Sequence, residues 1–140
     1  MNNSKAHFTP TATLDHMSEQ QCWTALRTAP LGRLAVRAVN GVDVFPVNFV
    51  VHDHALFIRT GPGAKLIDLT TCSVVAFEVD GSRGSDYYWS VVVRGTAERL
   101  SDDREIVSSG ILELVTVTPS ETWNFIRITP TAISGRQFSG

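Results

Sequence analysis

Leu31-Gly-Arg-Leu-Ala-Val-Arg-Ala-Val-Asn-Gly-Val-Asp-Val-Phe-Pro-Val-Asn-Phe-Val-Val-His-Asp-His-Ala-Leu-Phe-Ile58 is the stretch that decides the fold. Leu31 to Val39 alternates, with Leu34 and Val36 on one face, and Asn40-Gly41 is a two-residue hairpin signal. Val42 to Val51 answers as a returning strand, and His52-Asp53-His54 turns tightly into a third, Ala55 to Ile58. Three strands joined by such short turns must be antiparallel. Pro46 cannot donate to a ladder, so it marks an edge, a bulge or a place where the sheet splits.

Downstream, Ile58 runs into Arg59-Thr-Gly-Pro-Gly-Ala-Lys65 before an apolar helical turn at Leu66 to Leu69. Arg59, Thr60 and Lys65 are donors, and Gly61 and Gly63 allow close backbone approach, which suits an anionic oxygen cluster such as phosphate. The same composition also fits a solvated surface turn. A Walker loop is excluded, because the adjacent Gly-Lys and the following Ser or Thr are missing.

Ser73 to Asp80 reads as a fourth strand, with Val75, Phe77 and Val79 on one side. Gly81 to Asp86 is a turn, and Tyr87 to Gly95, extended through Leu100, is a fifth strand with Trp89 and Ser90 at its entrance. Ser101-Asp102-Asp103 caps a helix running to about Glu113, and Trp123 to Ile128 supplies a sixth strand, followed by Pro130 to Phe138. Upstream, Leu14 to Ala29 reads as a helix with Ser18 as a cap, and Met1 to Thr13 as a disordered arm. The expected architecture is mainly β: a six-stranded antiparallel barrel with short flanking helices, one domain over residues 14–140.

With 140 residues, a net charge of −2 and no long basic run, the chain suits neither two domains nor a nonspecific nucleic-acid grip. Cys22 and Cys72 are far apart and form no CxxC pair, and His52 and His54 lack an evident third ligand, so neither a disulfide framework nor a metal site is expected. No signal-like or membrane-length apolar run is seen. A soluble cytoplasmic protein is the expectation.

The ordered set Gly32-Arg-Leu-Ala-Val36, Pro46-Val-Asn48, Phe57-Ile-Arg-Thr-Gly61, Lys65-Leu66, Val75-Ala-Phe-Glu-Val-Asp80, Trp89-Ser-Val-Val-Val-Arg-Gly95 and Ile133-Ser-Gly-Arg136 resembles the pyridoxamine 5′-phosphate oxidase-like proteins, the FMN-binding split barrels. The resemblance spans about residues 18 to 138 and rests on order and spacing. It implies a split β-barrel homodimer with FMN at the subunit interface. Arg59, Thr60 and Lys65 would then grip the phosphate, and Val47, Asn48 and Phe49 would lie along the flavin. Trp89 and Ser90 would approach the phosphate from the other subunit.

It further implies a flavin-dependent oxidoreductase acting on an unknown small substrate, since the flavin supplies the redox chemistry. The oxidases that give the family its name carry an Arg and a His in a longer C-terminal segment; here no histidine follows His54, which counts against the vitamin B6 oxidase reaction. Short relatives with this fold also use the deazaflavin F420, so an F420-dependent reductase stands beside the first reading, as does a non-catalytic flavin or haem binder serving storage or sensing. No catalytic residue is assigned, and no hydrolase set of Ser-His-Asp or Cys-His type is present.

Overall fold

The computed structural model describes residues 13–39, 41–60, 73–113 and 124–139. Among them the strands are β1 (Thr13–Met17), β2 (Leu31–Ala38), β3 (Gly41–Asn48), β4 (Val50–His52), β5 (Ala55–Thr60), β6 (Ser73–Arg83), β7 (Tyr87–Arg99) and β8 (Asn124–Ser139). Helices α1 (Glu19–Thr28) and α2 (Asp103–Ser109) and a 3₁₀ turn (Ile111–Glu113) complete the description. Every pairing is antiparallel, in the order β3-β2-β6-β7-β8-β5-β4, with β1 also on β8.

β3 and β4 stand at opposite ends of that order, yet Phe49 alone joins them. A one-residue link spans no more than about 8 Å, so the sheet must curl until its two edges nearly meet. This is a split barrel. Pro46 lies on the edge strand β3, where its missing N–H costs no ladder bond on the open side.

The barrel interior is filled by alternating residues, among them Leu34 and Val36 of β2, Phe77 and Val79 of β6, Val91 and Val93 of β7, and Ile126 and Ile128 of β8. Helix α1 caps this core with Cys22, Trp23, Ala25 and Leu26. Its start is fixed by a capping box: Ser18 Oγ accepts from Gln21 N, and Gln21 Oε1 accepts from Ser18 N. β5 is buried on both faces, which is why Ala55-Leu-Phe-Ile58 is a continuous apolar run. Leu56 and Ile58 point into the barrel, whereas Ala55 and Phe57 meet Leu100, Ile106 and Ile111 in a second cluster under α2.

The structure departs from the sequence expectation in five places. Leu14 to Met17 is strand, not helix, and Thr13 opens that strand; Thr13-Leu-Asp-His-Met17 acquires its form by pairing along β8. The expected second strand breaks at Phe49 into β3 and β4, which together with β1 raises the number of strands above six. β6 continues to Arg83 before the turn, and β8 runs unbroken through Pro130, where a register shift opposite Arg94 and Gly95 absorbs the missing donor. Helix α2 ends at Ser109 because Gly110 adopts φ +84, leaving 111–113 as a 3₁₀ turn. The short helix expected at 67–71 lies outside the described residues.

Candidate functional site

Strand alternation divides the expected binding residues between two faces. Val47, Phe49, Thr60 and Trp89 go with the interior. Val47 pairs with Gly32 and packs on the core, and Phe49 is 5% exposed with its ring edge-on to Phe77 at 4.8 Å. Trp89 is 7% exposed and lies over Gly81, where a Cβ would fall 2.8 Å from the indole. Asn48, Arg59 and Ser90 face outward: Asn48 pairs with exposed Leu31, Ser90 pairs with exposed Asp80, and Arg59 shares its face with Phe57. A ligand on the outer face would therefore meet Asn48, Arg59 and Ser90 by side chain, but Val47 and Phe49 only by backbone.

Asn48 is already partly engaged, since its Nδ2 donates to Pro30 O at 2.9 Å and ties the end of β3 to the end of α1. Lys65 lies outside the described residues, as do Gly61 and Gly63. Arg59 and Thr60 are brought together at the end of β5, on opposite faces of the strand, so one ligand can meet both only at the strand's end. Trp89 and Ser90 are not brought to them within one chain. Thr60 pairs with Asn124 and Ser90 with Arg136, which separates the two places by roughly 40 Å of strand contour along β8.

Thr60 is the least satisfied group here. Its hydroxyl is buried, with no hydrogen-bond partner among the described residues. Its cross-strand neighbour Asn124 is also buried, so two of the three buried polar side chains in the described residues meet at this barrel end. The third, Ser109, is satisfied within α2: Oγ donates to Ile106 O at 2.8 Å and accepts from Ile111 N at 3.2 Å. A buried unpaired hydroxyl costs about 1–3 kcal/mol, so Thr60 is an open demand for an acceptor or donor. Asn124 was not singled out by sequence, although it sits on the parity of Ile126 and Ile128, where an amide among core positions is the available signal.

On the outer face, Arg33 Nη1 bridges Glu78 Oε1 at 3.1 Å and Asp80 Oδ2 at 3.2 Å. Burial pushes the Glu78 carboxyl above its ordinary value; the hydrogen bond and charge of Asp80 add to this, and Arg33 opposes it. Concavities of about 250, 340 and 350 Å³ elsewhere on the surface are lined by none of the expected binding residues.

A curled antiparallel sheet split at one seam, with a polar end to its barrel and a helix cap, defines the split-barrel class. The model of the pyridoxamine 5′-phosphate oxidase family matches residues 18–137, and the chain belongs to that family. A Corynebacterium glutamicum structure described as a candidate pyridoxamine 5′-phosphate oxidase is 38% identical, with 91% of this chain and 100% of that one covered and a TM-score of 0.81. A FAD-binding protein from Mycobacterium smegmatis is 32% identical, covers 90% and 99% of the two chains, and has a TM-score of 0.79. A FAD-binding protein from Mesorhizobium loti is 25% identical over 92% and 99% of the chains, also with a TM-score of 0.79.

Proposed function

We propose that this chain is a flavin-binding protein of oxidoreductase type, holding the FMN moiety of its cofactor, free or as part of FAD, between two copies of itself. The observation that carries this reading is the Thr60 hydroxyl, buried and without a partner among the described residues, beside Arg59 at the end of β5. A phosphate oxygen can accept from that hydroxyl and from the Arg59 guanidinium at the strand end, and Lys65, a few residues on in sequence, would add a further cation. The relatives described as FAD-binding support a flavin in particular.

The residues fit such a group. Asn48 and the backbone of Val47 and Phe49 run along the open edge of β3, where a planar ring can lie against the strand. Ser90 reaches the phosphate only from a second subunit, because it pairs with Arg136 at the far end of β8 from Asn124, the partner of Thr60. An apolar patch for such a partner exists on the outer face, where Val42, Val44 and Val74 are 68%, 60% and 76% exposed. When bound, the flavin supplies hydride or electron transfer at its ring; the protein's part is to bind, orient and shield it. The small-molecule substrate would enter from the exposed ring face.

The test is a titration of FMN and of riboflavin into wild type, Lys65→Ala and Thr60→Val. Removing a charge-assisted phosphate contact costs about 1.5–3 kcal/mol, so FMN should weaken roughly 10- to 150-fold in Lys65→Ala while riboflavin changes little. Equal losses for both ligands would move the phosphate away from this loop, and absence of binding to any flavin would overturn the reading.

A further inference from the structure

Cross-strand register assembles a group of side chains of which the flavin reading uses only Ser90. His16 pairs with Arg136, Arg136 with Ser90, and Ser90 with Asp80, so the four form one transverse row on the outer face of β1, β8, β7 and β6. Two residues further toward the strand ends, Leu14, Phe138 and Tyr88 form the next outer row. The Tyr88 and Phe138 rings are stacked, with centroids 5.7 Å apart and planes at 28°. All three residues of this second row are exposed: Leu14 at 57%, Tyr88 and Phe138 at 44% each.

The polar row is cationic where it matters. Arg136 and His16 are exposed, and neither makes an ion pair or a side-chain hydrogen bond among the described residues. Asp80, the one acid in the row, is engaged by Arg33 at 3.2 Å, a guanidinium it shares with Glu78. An uncommitted guanidinium, an imidazole and a hydroxyl in line are donors for a phosphate. The aromatic row lies one outer-face step away, about 6–7 Å, a spacing that a ribose bridges between phosphate and base. Exposed stacked rings are a platform for a planar heterocycle.

We infer that this double row is the seat of an adenosine phosphate, with Arg136, His16 and Ser90 on the phosphate and Tyr88 and Phe138 under the adenine. Resting on the flavin reading above, this makes the cofactor the dinucleotide, FAD, with its adenylate half held by the face that carries Ser90. Apolar exposure alone would suit many occupants. The pairing of an aromatic ledge with an unpaired cation row selects a nucleotide.

FAD, FMN and ADP are titrated into wild type, Phe138→Ala and Arg136→Ala, with circular dichroism reporting that each variant folds. Wild type should prefer FAD over FMN by at least tenfold and bind ADP as a competitor of FAD. Phe138→Ala should reduce that preference by roughly 5- to 150-fold, the range expected for one base stacked on one aromatic, and leave FMN unchanged. Arg136→Ala should lower FAD and ADP affinity together. Binding of FMN and FAD with equal affinity, or variants that weaken both alike, would overturn the inference while leaving the flavin reading standing. Binding of neither would remove both. A Phe138→Ala change that shifts only the monomer–dimer balance would assign the patch to a second copy and overturn the inference.

Discussion

Gly32 sits directly beneath the ring of Phe77: a Cβ at residue 32 would lie 2.1 Å from Phe77 Cζ. Phe77 cannot retreat, because it is fully buried and Phe49 presses on it edge-on at 4.8 Å. Gly32→Ala should therefore overpack the core and cost about 1–3 kcal/mol, read as a lowered urea midpoint at unchanged slope. A midpoint equal to wild type would show that the ring has room the structure does not reveal.

Thr60→Val keeps the side-chain volume and deletes the hydroxyl. With no partner for that hydroxyl among the described residues, the ligand-free protein should gain stability, by up to about 1–2 kcal/mol, while losing affinity for phosphorylated flavin. Opposite signs in the two measurements, thermal melting without ligand and FMN titration, are the expected signature. A destabilised variant would mean that the hydroxyl is satisfied in solution.

Val44 stands 60% exposed on the edge strand, paired with Ala35 on the outer face. If the two copies of the proposed site meet on this face, a charge there should break their contact without touching the core: Val44→Asp should then shift the mass seen by light scattering from dimer toward monomer. Single-chain stability should change by no more than about 0.5 kcal/mol. A wild-type protein that is monomeric with flavin bound would refute the two-copy site.

Glu78 gives a pH prediction with a definite sign. Its folded-state carboxyl titrates above the ordinary glutamate value, so between the two values the native state holds a proton that the unfolded chain has released. Its contribution to stability must then fall as pH rises through that window, and is fully present only below the ordinary value. Glu78→Gln should flatten this part of the profile, measured as urea midpoints across the acidic range. A wild-type profile that rises there more steeply than the variant's would reverse the assignment.

The sequence made most of the sheet readable because β2 and β6 each bury one face and alternate cleanly: Leu34 and Val36, and Phe77 and Val79, could be placed on one face from spacing alone. β7 was legible as a strand, but three valines in a row, Val91 to Val93, do not show which of them turn inward. β1 was unreadable. Leu14-Asp-His-Met17 has no apolar alternation, and its strand form is imposed by the ladder to β8. Ser18 and Gln21 marked where the helix starts, and the capping box overrides the impression that the helix extends back to Leu14.

At the site, residue type pointed to Arg59 and Thr60 but said nothing about faces. Phe49 and Trp89 became core once the parity of their strands was known. The row of His16, Arg136 and Ser90 joins three strands distant in sequence and exists only in register space.

β8 carries a consequence for how the chain is made. That single strand is hydrogen-bonded to β1, β5 and β7, and its last residues hold β1 and the start of β7. On a ribosome, everything up to α2 can emerge while three ladders still lack their shared partner. The β2–β3 and β4–β5 hairpins can form as local units, but the sheet cannot close until residue 139 clears the exit tunnel. Until then the inner edges of β5 and β7 are open to intermolecular pairing, so synthesis stalled before residue 124 should yield a chaperone-dependent, aggregation-prone product.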